Sequence, residues 1–292
     1  MDVSGGNLNN IFYLRSPSDG NKIANLAPGK KVVVVGSSFI GTEVAAYLAD
    51  KAESVTVICR MSNPLERNLG PEIGSYLKSL HESKNVRFVT NAQVTSFSSG
   101  DTDQDVAYVH VDSQEVPIAA DLVVVGIGVV PSTTYLTGTS IEMNSSGNII
   151  VNRQMQTNVP NVYAGGDIAQ FPLTLPTFED PVSVAIGHWQ IAQVHGKTAG
   201  LNMDQESPFP LSTVPFFWTV QFGKSIRYAG FATHFDDILY EGDVSAGTFI
   251  AYFCHQEKVM AVATLGRDPV AAEFANSLAR GTVMKKADIS KA

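Results

Sequence analysis

Gly36 and Gly41 stand where an apolar run meets a helical pattern, in Val32-Val33-Val34-Val35-Gly36-Ser37-Ser38-Phe39-Ile40-Gly41. A glycine turn of this kind lets the backbone approach a pyrophosphate and aims a helix N-terminus at its charge. Gly36 and Gly41 take the first and third positions of G-x-G-x-x-G. Ser38 replaces the middle glycine; its Cβ is expected to crowd the pyrophosphate, and its hydroxyl offers a hydrogen bond in return. The same residues also suit a plain strand–turn–helix connection with no nucleotide. An acidic residue usually ends the second strand of such a unit and holds the ribose hydroxyls of NAD. Here that stretch reads Ile58-Cys59-Arg60. Arg60 suits the 2′-phosphate of NADP, and equally an ordinary solvated arginine, so NAD(H) and NADP(H) both stay open.

A second pattern is longer: Thr157-Asn158-Val159-Pro160-Asn161-Val162-Tyr163-Ala164-Gly165-Gly166-Asp167. A threonine, a proline-bounded turn, an apolar strand and a closing Gly-Asp match the second FAD motif of flavoproteins that bind two dinucleotides. Gly166 admits the ribityl chain to the backbone, and the Asp167 carboxylate accepts from its hydroxyls. A helix expected from near Ser183 would aim its positive end at the flavin. The plain alternative is a strand closed by an Asx-type turn.

The elements follow from the hydrophobic patterning. Val32–Val35 and Val55–Ile58 are β-branched runs expected of strands buried on both faces of a parallel sheet, with a helix through Ile40, Val44 and Leu48 between them. Pro71 suits a first helical position, with Ile73, Leu77 and Leu80 following at helical spacing. Residues 86–89, 94–97, 107–111 and 115–118 predict short antiparallel strands, a meander inserted before a last buried strand at 122–125, which stops at Gly126-Ile127-Gly128. A strand is expected at Val162–Ala164 and a helix with Ala185, Trp189, Ala192 and Ala199 on one stripe. Hairpin strands over 226–231, 248–254 and 258–264 precede a final helix that Asp268 caps and Pro269 begins.

Composition narrows the classes. A 44% hydrophobic and 16% charged chain supports buried cores, and a net charge of -8 argues against nucleic acid as the main partner. Two distant cysteines, Cys59 and Cys254, exclude a disulfide scaffold and an internal thiol relay. The histidines have no metal-ligand spacing, so no metal site is expected. With no membrane-spanning run and no leader pattern at its start, the chain is expected to be intracellular, in cytoplasm or mitochondria.

Beyond these motifs, Pro71-Glu72-Ile73-Gly74, the 126–131 loop and Pro215-Phe216-Phe217-Trp218 occur in the order seen in ferredoxin-reductase-like flavoproteins. The runs His188-Trp189, Ser212–Pro215 and Phe222–Gly230 resemble the apoptosis-inducing-factor-like branch, whose members often carry a Rieske iron–sulfur domain. The resemblance implies an α/β chain with a Rossmann-like NAD(P)-binding domain carrying a β-meander, part of an FAD-binding domain and an α+β C-terminal domain. The boundaries implied are 1–28 as a remnant of the FAD-binding domain, 29–140, 141–210 as its second half, and 211–292. It implies hydride transfer from NAD(P)H to FAD and electron delivery to an iron–sulfur (Rieske or ferredoxin-type) or quinone-like acceptor. Glu43 falls on a glutamate that lies beside the nicotinamide in similar enzymes; its plain role is a surface helix carboxylate. Trp218 is placed like an aromatic near the flavin, and equally like a core residue. His188 reads as a helix-start hydrogen-bonding residue.

The family's first FAD glycine turn has no counterpart in residues 1–28, which implies weak or no retention of FAD by this polypeptide. Two readings follow: a flavoprotein NAD(P)H reductase, or a nucleotide-binding interaction protein without a working flavin. A one-domain Rossmann dehydrogenase leaves Gly166-Asp167 and the aromatic C-terminal region unexplained.

Overall fold

Val32–Val35 is buried throughout, and so are Val55–Ile58 and Leu122–Val125, because each of these strands has cover on both faces. The computed structural model describes residues 1–100, 104–204 and 208–289. The chain forms two units. One comprises Met1–Gly128, Trp218–Ile226 and Gly242–Phe249; the other comprises Val129–Phe217, Arg227–Glu241 and Ile250–Ala292.

In the first unit the order is β1 (Ile11–Tyr13), α1 (Pro17–Leu26), β2 (Lys31–Val35), α2 (Phe39–Leu48), β3 (Ser54–Ile58), α3 (Glu66–Leu69), α4 (Pro71–Glu82), β4 (Val86–Val89), β5 (Val94–Ser99), β6 (Val106–Val111), β7 (Ile118–Ala119) and β8 (Leu122–Val125). The main sheet runs β1-β8-β2-β3-β4, and every pairing in it is parallel. Alternate residues serve alternate faces, as the strand period of two requires. Val32, Val34, Val55, Val57, Leu122 and Val124 pack with Ile23 of α1 and Val44, Ala45 and Leu48 of α2. Val33, Val35, Ile58, Val89, Val123 and Val125 pack on the other face against Phe97 and Val109 of the β5-β6-β7 sheet.

The structure differs from the sequence expectations at three places in this unit. Val86–Val89 pairs in parallel with β3 rather than opening the antiparallel meander, because the crossover through α4 brings the chain back in the same direction. Ile11–Tyr13 is the edge strand beside β8, so residues 1–28 fall within this unit, with Met1, Val3, Leu8 and Ile11 against its core. The last meander strand also shrinks to Ile118–Ala119, after Pro117, which has no amide to donate.

The second unit holds β9 (Ile149–Ile150), β10 (Ala169–Leu173), β11 (Val182–Val184) and α5 (Trp189–Asp204). β10 pairs with β9 in parallel and with β11 antiparallel. The helix expected from near Ser183 starts at Trp189 instead, since Val182–Val184 pairs with Phe171–Leu173. Val162–Ala164 is no strand; it makes a single bridge, Gln156 to Tyr163. The later strands are β12 (Phe216–Gln221), β13 (Lys224–Gly230), β14 (Asp237–Asp243), β15 (Thr248–His255) and β16 (Lys258–Leu265), in the order β12-β13-β16-β15-β14, followed by α6 (Val270–Ala279). The polar β14, at the sheet edge, had no hydrophobic alternation to announce it. Ala271, Phe274 and Leu278 of α6 pack on Ala229, Ile250, Tyr252, Cys254 and Val262.

Pro269, not Asp268, occupies the cap position of α6, and no side chain caps it. Asp268 pairs with Arg227 instead, both partly exposed. Arg227→Ala is therefore expected to lower stability by only about 0.5 kcal/mol, an effect that shrinks further in 1 M salt. Urea unfolding at two salt concentrations checks this, and a loss above about 2 kcal/mol contradicts it.

Candidate functional site

At the C-terminal ends of β2, β3 and β8 the backbone closes tightly. Gly36 has φ +107°, and a Cβ there would sit 2.3 Å from the Gly126 carbonyl oxygen. A Cβ on Gly41 would sit 2.0 Å from the Gly36 oxygen. Only glycine fits either place. Gly36 N–H donates to Ile58 O at 3.0 Å and Gly126 N–H to Val35 O at 2.8 Å, which ties the turn to the sheet. Helix α2 begins after Ser38, whose hydroxyl makes no capping hydrogen bond. Its first amides therefore keep the orientation that suits an anion.

The other expected residues of this turn are close by in the chain and differ in placement. Ser37 turns inward and donates to Cys59 Sγ at 2.8 Å, an anchor the sequence did not signal. Phe39 is half-buried, while Ile40 and Ile127 are exposed; Arg60 is exposed at the end of β3, and Gly128, at φ +106°, has open space about it.

Glu43 lies on α2, half-buried, and lines an apolar cavity of about 340 Å³ with Leu14, Ile23, Ile40, Tyr47 and Leu48. Its Oε1 accepts from the Thr219 hydroxyl at 2.6 Å. Thr219 and Gln221 point inward from β12, whereas Trp218 and Val220, on the opposite face, are exposed. Trp218 is thus not a core residue. Behind Thr219 stand Gln221, Thr42 and His81, all buried. These partners lie 140 to 179 residues apart, a separation no sequence pattern discloses.

In the second unit Gly166 has φ +80°, and Gly165 approaches His195 so closely that a Cβ would lie 3.0 Å from that of His195. The Gly166 N–H donates to His195 Nδ1 at 3.1 Å, and Asn148 Nδ2 donates to the Asp167 carbonyl at 3.3 Å. Gly187 borders the Asp167 carboxylate: a Cβ there would lie 3.6 Å from it, an ordinary contact. His188 follows at once, and Trp189, half-exposed, opens α5 with its ring 5.9 Å from that of His188. Burial lowers the His188 pKa, and the nearby Asp167 carboxylate acts against that. Gly166, Asp167, His188 and Trp189 are thereby gathered in one place. His195 and Gly187 escaped the sequence reading.

His195 is fully buried and unusual. Its Nδ1 accepts, so its proton is on Nε2, which has no partner among the described residues, and its ring lies edge-on to that of Phe171, 4.4 Å between centroids. Burial pushes its pKa down to about 4.

Among the described residues no three His, Cys, Asp or Glu side chains cluster as metal ligands, and no helix is long and apolar enough to cross a membrane. The cradle at Gly36–Gly41, where backbone fills the Cβ positions, fits a pyridine dinucleotide. The Gly166-Asp167 turn fits the ribityl part of FAD.

Comparison with known proteins shows the family. Residues 1–196 match the family described as pyridine nucleotide-disulphide oxidoreductase, and 216–291 match the reductase C-terminal family. Apoptosis-inducing factor 3 of Homo sapiens is 40% identical over 290 residues, covering 99% of this chain and 47% of that protein. Putidaredoxin reductase of Pseudomonas putida is 28% identical, covering 90% of this chain and 60% of its own length. The crystal structure of the covalent putidaredoxin reductase–putidaredoxin complex superposes with a TM-score of 0.87 at 26% identity, over 96% of this chain and 66% of that one. The chain spans about half the length of the curated relatives it matches.

Proposed function

This chain belongs to the pyridine nucleotide-disulphide oxidoreductase family, and from that premise we propose that it serves as the nicotinamide- and flavin-contacting part of an NAD(P)H-dependent flavoprotein reductase with a ferredoxin-type electron acceptor. The observation that carries the reading is the pair of glycines at β2–α2, whose Cβ positions are occupied by backbone. Gly36 and Gly41 bring that backbone to the pyrophosphate, the α2 amides after Ser38 face its charge, and Arg60 stands at the end of β3 for the adenosine ribose. Gly126, Ile127 and Gly128 border the same turn. Glu43 orients the nicotinamide.

FAD, when bound, supplies two-electron acceptance from the reduced nicotinamide and onward delivery of electrons. On this chain Gly166 and Asp167 would hold its ribityl hydroxyls, with His188 and Trp189 beside them and Trp218 at the flavin. Relatives named ferredoxin reductases, and a structural neighbour solved in complex with putidaredoxin, favour a ferredoxin-type acceptor over a quinone.

The test is anaerobic titration of the purified full chain, supplied with FAD, with NADH or NADPH. Bleaching of the flavin absorbance by either nucleotide is expected, and the preferred one shows which ribose Arg60 serves. Bound FAD that neither nucleotide bleaches would sink the proposal, and so would failure to bind FAD at all.

A further inference from the structure

The hydrogen bonds around Glu43 run in one direction. His81 Nε2 donates to Gln221 Oε1 at 2.7 Å. Gln221 Nε2 donates to the hydroxyls of Thr42 and Thr219, at 2.9 and 3.2 Å. Thr219 then donates to Glu43. The Thr42 hydroxyl gives its own proton to the carbonyls of Ser38 and Phe39, so towards Gln221 it only accepts. That settles which end of the Gln221 amide faces which partner. His81 is fully buried, which lowers its pKa, and its Nε2 carries the proton given to Gln221; among the described residues its Nδ1 has no partner.

A buried polar network specifies one arrangement where an apolar filling would serve packing as well. One branch of this one, from His81 through Gln221 and Thr219, ends on the Glu43 carboxylate, and the other ends through Thr42 on the backbone at the start of α2. A glutamate on a helix surface otherwise keeps much of its rotamer freedom, and a ligand must freeze it. Resting on the reading of Glu43 as the residue beside the nicotinamide, we infer that Thr219 and Gln221 are positioning residues that hold the Glu43 carboxylate in place for the nucleotide bound over Gly36–Gly41.

The experiment compares the full chain with Thr219→Val, Thr219→Ser, Glu43→Gln and the double variant Glu43→Gln/Thr219→Val. NADH affinity is read by nicotinamide fluorescence, and the rate of NADH-dependent flavin bleaching is read with FAD added. In whichever of these Glu43→Gln lowers, Thr219→Val is expected to lower it by roughly three- to tenfold, the cost of one more side chain to immobilise. Thr219→Ser recovers the parent value. The double variant is no worse than Glu43→Gln alone, because both losses act through one carboxylate. The carboxyl carbon-13 resonance of Glu43, identified by its absence in Glu43→Gln, moves in Thr219→Val and returns in Thr219→Ser.

An additive double variant, or a Thr219→Val chain that behaves like the parent, overturns the inference and leaves the role of Glu43 standing. A Glu43→Gln chain unchanged in both affinity and rate overturns that role, and the inference falls with it. If Thr219→Val does not fold, Gln221→Met, which keeps the length and removes the amide, is put through the same comparison with the same outcomes.

Discussion

Gly41→Ala is expected to cost about 3 kcal/mol of stability and to weaken NADH binding by more than about tenfold. The added methyl would meet the Gly36 carbonyl at 2.0 Å for its oxygen and 2.9 Å for its carbon. Neither atom can swing aside as a side chain would. The Gly36 amide is bonded to Ile58, and the helix start is held by Thr42 N–H donating to Ser38 O at 3.0 Å. Relief therefore requires α2 to withdraw from β2, which moves the first amides of α2, the ones proposed to face the pyrophosphate. Stability and nucleotide affinity should fall together. Gly196→Ala is the control: this glycine lies inside α5 with nothing within 4 Å of its Cβ, so alanine should leave stability no lower. Chemical denaturation and NADH titration of the three proteins decide the matter. A Gly41→Ala chain within about 1 kcal/mol of the parent, binding NADH equally well, would mean that the turn is not the constraint described.

Acid should loosen the second unit through His195. The unfolded imidazole titrates near its usual value of 6.5, and the folded one at about 4. Between those limits the unfolded state binds more protons, so stability falls as the pH falls. The stabilisation of the neutral form is complete above pH 6.5 and gone below about 4. A shift of that size corresponds to about 3 kcal/mol across the window. Geometry says where the loss is felt: a proton on Nδ1 displaces the Gly166 N–H it accepts, which loosens the turn that carries Asp167. His195→Gln keeps an acceptor and removes the titration. Its urea midpoint should match the parent at pH 7.5 and exceed it at pH 4.5, with faster hydrogen exchange at Gly166 in the parent alone. Parallel pH profiles for the two proteins would show that His195 does not carry the acid sensitivity.

Much of the two glycine turns was legible from short-range pattern. A β-branched run before Gly36 announces a buried parallel strand, and Gly41 follows at the spacing of a strand–turn–helix unit. Gly166-Asp167 likewise carries its signal within a few residues. These features depend on backbone conformations and local close approaches that neighbouring residue types dictate. The same local logic misled at Val182–Val184, where alanine spacing further on implied an earlier helix and β-branched residues instead paired with β10. It also assigned Val86–Val89 to the meander, since nothing inside four residues states the direction in which a crossover returns.

By itself, then, the amino-acid order determined the family, the glycine turns and the alternation that builds both faces of the parallel sheet. Only tertiary structure decided that Ile11–Tyr13 completes that sheet, that His195 sits under Gly166, and that Thr219, Gln221 and His81 converge on Glu43. The physical reason is distance along the chain. Periodicity and propensity act over a turn or a strand, whereas a hydrogen bond between residues 176 positions apart exists only once the chain has closed on itself.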